Sequence, residues 1–116
     1  MDDEVLVVLT TLPDEAGARA LAARLVEERL AACVNVLAPC MSVYRWRGAV
    51  ECAGETPLFI KTTRARYPAL AAALRAAHPY ELPEVIAVPV TDGLAGYLAW
   101  VADSVTIAPS STPDVC

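Results

Sequence analysis

Residues 5–37 read VLVVLTTLPDEAGARALAARLVEERLAACVNVL, and the order of apolar and polar residues here is the clearest indication of the fold. It opens with the apolar run Val5–Leu9, as expected of a strand covered on both faces. Pro13 and the acidic residues that follow it favour the start of a helix. Apolar residues then recur at helical spacing to about Ala32, and Cys33–Leu37 is apolar again. The segment therefore predicts a β-α-β unit.

The rest of the chain repeats this pattern after a hairpin. The strand after the first helix continues past Pro39, and the chain reverses at Gly48. A second helix must end near Ala77, because the residue before Pro79 disfavours helical geometry. The further predicted elements are strands at Ser42–Trp46, Leu58–Thr62 (with an uncertain start in 50–56) and Val85–Val90, and helices from Pro68 and over Leu94–Ser104. With right-handed crossovers, this order predicts an α+β, ferredoxin-like split βαβ sandwich with one extra helix. We expect one domain over residues 1–107 and a disordered tail over 108–116.

The apolar content is too high for so short a chain to bury alone. Of 116 residues, 56% are hydrophobic, and the mean hydropathy is +0.43. No apolar run approaches the roughly 20 residues of a membrane-spanning helix, so subunit interfaces are the expected place for the surplus. The central hairpin also exceeds the outer strands in length, and its unpaired edges would be protected by a neighbouring subunit. This reasoning predicts a homo-oligomer without fixing the number of subunits.

Charge and cysteine content narrow the function classes. The net charge is −5, and the arginines are scattered among acids, so no nucleic-acid-binding stripe is expected. Acidic residues at the start, with no apolar signal segment after them, favour a cytoplasmic location. Cysteines at 33, 40, 52 and 116 form no CxxC pair, so we expect three buried or half-buried thiols and one in the tail rather than a zinc site.

Two residues that occur once each are the first candidates for a site. His78 follows the second helix, where it could cap the helix or bind a metal with Glu81 and Glu84 or with ligands from a neighbouring subunit. Lys61 lies within an apolar strand, where we expect either an ion pair with Glu84 or a pocket for an anionic ligand.

Aromatic residues supply the second set of candidates. Tyr44 and Trp46 share one face of the hairpin, and with Tyr80 and Trp100 they could form a wall between subunits. The alternative is an intersubunit ligand cleft, with Lys61 among its residues. No nucleophile–base pair, P-loop or dinucleotide motif is visible, so we do not expect an enzyme.

Several motifs resemble those of the CutA family. They are Val7–Glu15 and Leu30–Asn35, the S-x-Y-x-W-x-G hairpin of Ser42–Gly48, Ile60–Thr62, the H-P-Y-E-x-P-E block of His78–Glu84 and the closing Tyr97–Trp100. The resemblance covers about residues 5 to 106. It implies a ferredoxin-like protomer, a stable homotrimer with the architecture of PII signalling proteins, and copper binding or tolerance of divalent cations.

Two departures bear on copper. Familiar bacterial members resemble this chain but carry a cysteine where Thr10 stands, and a second histidine where Ala77 stands. A threonine hydroxyl is a poor copper ligand, so no cofactor is certain, and Cu²⁺ or another divalent cation is the candidate.

The sequence leaves three hypotheses for the function: a trimeric metal-binding tolerance protein, a PII-like small-molecule sensor or adaptor that uses intersubunit clefts, and a trimeric scaffold without a ligand.

Overall fold

The computed structural model describes residues 3–107, so the expected tail over 108–116 lies outside the described residues. Its elements in chain order are β1 (Val5–Leu12), α1 (Glu15–Glu27), β2 (Cys33–Val36), β3 (Cys40–Trp46), β4 (Ala49–Thr63), α2 (Tyr67–Ala77), β5 (Ile86–Pro89) and α3 (Ala95–Val105).

The strands form an antiparallel sheet in the order β2-β4-β1-β5, and β3 pairs with the protruding half of β4. Strand β4 lies between β1 and β2, and β1 lies between β4 and β5. Each βαβ unit is therefore split by a strand of the other, as in the ferredoxin-like arrangement predicted from the sequence. The four-residue β5 is an edge strand, which suits its terminal Pro89.

The two faces of the sheet differ in their cover. Alternate residues of β1, such as Leu6 and Val8, point to the helices and are fully buried. On the opposite face Phe59, Ile86 and Val88 stay 37–52% exposed. We call this the open sheet face, because α3 packs only over its end at Val5 and Val90 and leaves these three side chains exposed. The rest of this face is therefore left without a cover by the described protomer.

Helix α1 ends at Glu27, earlier than the predicted end near Ala32. Arg29 has a φ of 59°, and the amides of Leu30 and Ala31 both turn back to the Leu25 carbonyl. This left-handed turn closes the helix and returns the chain to the sheet, a geometry that glycine or asparagine usually marks in a sequence. The apolar residues after it belong to the turn rather than to the helix.

The β3–β4 hairpin projects from the sheet, since β4 has 15 residues and β1 only eight. The predicted excess of the hairpin over the outer strands is thus confirmed. The expectation that three cysteines are buried or half-buried is wrong for Cys40 and Cys52, which are exposed on this hairpin; Cys33 is half-buried. The hairpin lies beyond the helices, so neither of its faces is fully covered within one protomer.

None of the described helices is long and apolar enough to span a bilayer.

Candidate functional site

A groove of about 640 Å³ lies where the end of β1, the base of the hairpin and the 79–84 connector meet. Its lining combines aromatic rings, hydroxyl groups and carboxylates: Thr11, Ser42, Val43, Tyr44, Trp46, Ala53, Glu55, Pro79, Tyr80, Glu81, Leu82 and Glu84. The pairing of β3 with β4 explains why these residues converge. Cys40 is opposite Glu55 and Ser42 is opposite Ala53, so Ser42, Tyr44, Trp46 and Glu55 share the hairpin face that points into the groove.

His78 fixes the connector that forms one wall. It caps α2 by donating its backbone N–H to the Leu74 carbonyl, and its ring is 8% exposed. Its Nε2 lies 2.6 Å from the Thr11 carbonyl oxygen, and the Tyr80 amide donates to its Nδ1 at 3.3 Å. These partners assign the proton to Nε2 and occupy both ring nitrogens.

Glu55 is the centre of the polar contacts in the groove. The Thr11 hydroxyl donates to its Oε2 at 3.0 Å, and the hydroxyls of Ser42 and Tyr80 act on the same carboxylate. Partial burial raises the pKa of this carboxyl, but the three hydroxyl groups and the nearby His78 outweigh that effect and lower the pKa below its usual value. Glu55 is therefore an anion at neutral pH.

Burial and the contact with Glu55 raise the pKa of Tyr80. Desolvation, the hydrogen bond to Glu55 and the charge of that carboxylate raise the pKa of Tyr80 to about 12. Its hydroxyl thus stays protonated and serves as a donor. The Tyr80 ring also packs on the His78 ring at 4.7 Å between centroids.

An ion pair lies at the mouth of the groove. Arg47 donates through Nη2 to both carboxylate oxygens of Glu81, at 2.7 and 3.0 Å, and its guanidinium carbon lies 5.3 Å from the Trp46 ring centroid. Arg47 has a φ of 51° in the turn between β3 and β4. Its side chain therefore holds together the hairpin tip and the connector.

The structure brings together five of the seven predicted cleft residues: Tyr44, Trp46, Tyr80, Glu81 and Glu84. Trp100 lies on α3, where its ring packs on Tyr97 at 5.5 Å between centroids. Lys61 lies on the open sheet face and donates to Asn35 Oδ1. The expected Lys61–Glu84 pair is wrong, because β1 separates β4 from β5 in the sheet.

Three polar residues of the groove were missed by sequence reasoning: Thr11, Ser42 and Glu55. Ser42 was recognised only as part of a motif, and Thr11 as part of a strand end. Glu55 lies in the stretch of β4 whose start the sequence left uncertain. The alternation of β4 would have placed Glu55 on the same face as Ala53 once the strand was extended to Ala49.

The residues considered for metal binding do not form a cluster of ligands within the described chain. Among residues 3–107, no group of three or more His, Cys, Asp or Glu side chains could hold an ion. Thr10, at the position where familiar CutA members carry cysteine, is 1% exposed on the helix-facing side of β1, and its hydroxyl lacks a hydrogen-bond partner in the described chain.

The chain is similar in sequence and in fold to known proteins over most of its length. The family model of the CutA1 divalent ion tolerance protein matches residues 6–104. A "Divalent-cation tolerance protein CutA" of Thermus thermophilus is 46% identical over 98 residues, which cover 84% of this chain and 95% of that protein. Human "Protein CutA" is 42% identical, and the match spans 90% of this chain and 63% of the human protein.

Solved structures agree with the sequence matches. The Thermus thermophilus tolerance protein has a TM-score of 0.84 at 45% identity, covering 86% of this chain and 97% of that one. CutA from Xylella fastidiosa has a TM-score of 0.86 at 43% identity, covering 89% and 99%. These similarities favour the cation-tolerance hypothesis over the small-molecule sensor.

Proposed function

Because the chain belongs to the CutA1 divalent ion tolerance family, we propose that it takes part in the tolerance of divalent cations and acts as a homotrimer. The observation that carries this proposal is the similarity over residues 6–104 to proteins named for that role. The match includes the whole sheet except the first residue of β1, so the role is assigned to the folded domain rather than to an isolated motif.

The trimer is supported by apolar surface that one protomer leaves uncovered. The open sheet face exposes Phe59, Ile86 and Val88, and the outward face of the hairpin exposes Met41 and Val50 at 73% and 66%. Exposed apolar surface of this extent usually marks an interface. Sister chains packed around a symmetry axis would cover it. The number of three comes from the family resemblance.

We propose that any direct binding of copper or another divalent cation belongs to the assembled trimer. Both nitrogens of His78 have partners within the protomer, so its imidazole binds a metal only if the contact with Thr11 or Tyr80 opens. A useful copper site needs two or more nitrogen or sulfur ligands. A neighbouring subunit would have to supply those that one protomer lacks.

The cellular role is tested by complementation. A bacterial strain that lacks its own CutA protein would carry either this chain or an empty vector and be grown over a series of Cu²⁺ concentrations. We expect the chain to extend growth to higher Cu²⁺. Equal sensitivity of the two strains, with the protein present in soluble form, would refute the proposed role.

Direct copper binding is tested separately by titrating the wild type, His78→Ala and His78→Gln with Cu²⁺ in competition with a chelator. The glutamine side chain can still donate to the Thr11 carbonyl, so this variant separates a lost metal ligand from a disturbed connector. Weaker binding by both variants would assign a ligand role to His78. Equal binding by all three proteins would remove His78 from the metal site.

We further propose that the protein is not an enzyme and that it works in a reducing compartment. The relatives of this chain are named as tolerance proteins rather than as enzymes, and Cys33, Cys40 and Cys52 are free thiols. Cell fractionation checks the compartment, and recovery in the periplasmic fraction would contradict a cytoplasmic location.

A further inference from the structure

We propose that the groove beside the hairpin binds a small organic cation, of the alkylguanidinium or alkylammonium class. This inference concerns a ligand beyond the proposed role in cation tolerance. Its volume of about 640 Å³ lies within the range of small-ligand pockets. The cleft predicted from the sequence was expected to take an anion through Lys61, and the structure places that lysine elsewhere.

The charge of the lining favours a cation. Glu55, Glu81 and Glu84 line the groove, and among residues 3–107 no lysine, arginine or histidine does so. The lowered pKa of Glu55 keeps its carboxylate ionised, and exposed Glu84 makes no ion pair within the described chain. Arg47 pairs with Glu81, but an anionic ligand would still meet the carboxylates of Glu55 and Glu84, which no cation of the groove lining offsets.

The aromatic walls distinguish an organic cation from a metal ion. Tyr44, Trp46 and Tyr80 line the groove, and the faces of such rings attract weakly hydrated cations. A hydrated Mg²⁺ or Ca²⁺ ion instead requires several oxygen ligands in close array. The hydroxyl contacts on Glu55 already occupy part of its oxygen capacity.

One side chain of the protein, the guanidinium of Arg47, is itself an organic cation bound at this groove. The Arg47 guanidinium lies against the Trp46 ring and donates to both oxygens of Glu81 at the mouth of the groove. The chemistry proposed for the ligand is thus that of an existing contact, repeated at Glu84 in the same groove. Arg47 would compete with the ligand for Trp46.

The test uses the full-length protein and butylguanidinium as the probe, followed by NMR of the two tryptophan indole N–H signals. Trp46 lines the groove and Trp100 lies on α3, and the variants Trp46→Phe and Trp100→Phe assign the two signals. We expect butylguanidinium to shift the Trp46 signal in a saturable way while Trp100 stays unchanged. Butylurea, which is uncharged and nearly isosteric, should bind at least about tenfold more weakly.

Three variants locate the binding. Glu84→Gln should weaken binding by roughly threefold to fivefold, since it removes one partly exposed charge. Arg47→Asn should strengthen binding by a similar factor, because it frees Trp46 and Glu81, and asparagine tolerates a positive φ. Glu27→Gln, an exposed carboxylate on α1, is the matched control and should change nothing.

Three results would overturn the proposal. They are no saturable shift up to about 50 mM probe, equal binding of butylurea, and displacement of the probe by equimolar Mg²⁺, which would assign the groove to metal ions. None of them bears on the copper-tolerance assay, so the two proposals fail separately.

Discussion

Replacement of Val88 by glutamate tests whether the open sheet face is a subunit interface. Val88 is 50% exposed in the protomer, and full burial of a valine side chain contributes about 1.5–3 kcal/mol. Covering the exposed half in an assembly therefore contributes about 1 kcal/mol per subunit, or about 3 kcal/mol over three symmetric copies. That loss alone corresponds to more than a hundredfold weaker trimer, and desolvation of three carboxylates adds to it.

The assay is sedimentation velocity over a dilution series, with Val26→Glu as the matched control. Val26 is 43% exposed on α1, a helix that packs on the opposite face of the sheet from Val88. We expect Val88→Glu to sediment as a smaller species at concentrations where the wild type and Val26→Glu remain assembled. Circular dichroism checks that both variants are folded. Equal assembly of all three proteins, or equal dissociation of the two variants, would show that Val88 does not lie in a subunit interface.

Three further predictions concern stability. Thr10→Val should raise the free energy of unfolding by about 1 kcal/mol, because it replaces a buried hydroxyl without a partner; a lower urea midpoint would contradict this. Leu74→Ala, at a fully buried position of α2, should lower the same quantity by about 2–5 kcal/mol, and a loss below 1 kcal/mol would show that the core of the helix layer is misassigned. The lowered pKa of Glu55 stabilises the fold above pH 4.5, and this contribution is lost as the pH falls through the pKa of the folded state. The raised pKa of Tyr80 stabilises the fold below pH 10, and this contribution is lost as the pH rises through about 12. Urea titrations across pH should show both slopes in the wild type, with a reduced acid slope in Glu55→Gln and a reduced alkaline slope in Tyr80→Phe, and unchanged slopes in the variants would contradict the assignment.

Local patterns were sufficient to predict most of the fold. The apolar run of β1, the helical spacing after Pro13 and the turn at Gly48 each reflect one short-range cause, and the element order then permits few topologies. The end of α1 could not be predicted in this way, because Arg29 adopts a left-handed conformation that its residue type does not indicate.

The site was less predictable because it depends on which strands are neighbours. Tyr44 and Trp46 were placed correctly by strand alternation within one hairpin. The Lys61–Glu84 pair was wrong because its strands are separated by β1, a fact of sheet order rather than of sequence spacing. Glu55 was missed because its role arises from Thr11 and Tyr80, which lie far from it in sequence and close to it in the fold.

Light scattering of the purified wild type gives the most direct test of the claim that this domain completes its core by self-association. We expect a mass near three times the 12.3 kDa of one chain at micromolar concentration. A stable mass near that of a single chain would contradict it, since the open sheet face would then remain exposed to water in the working protein.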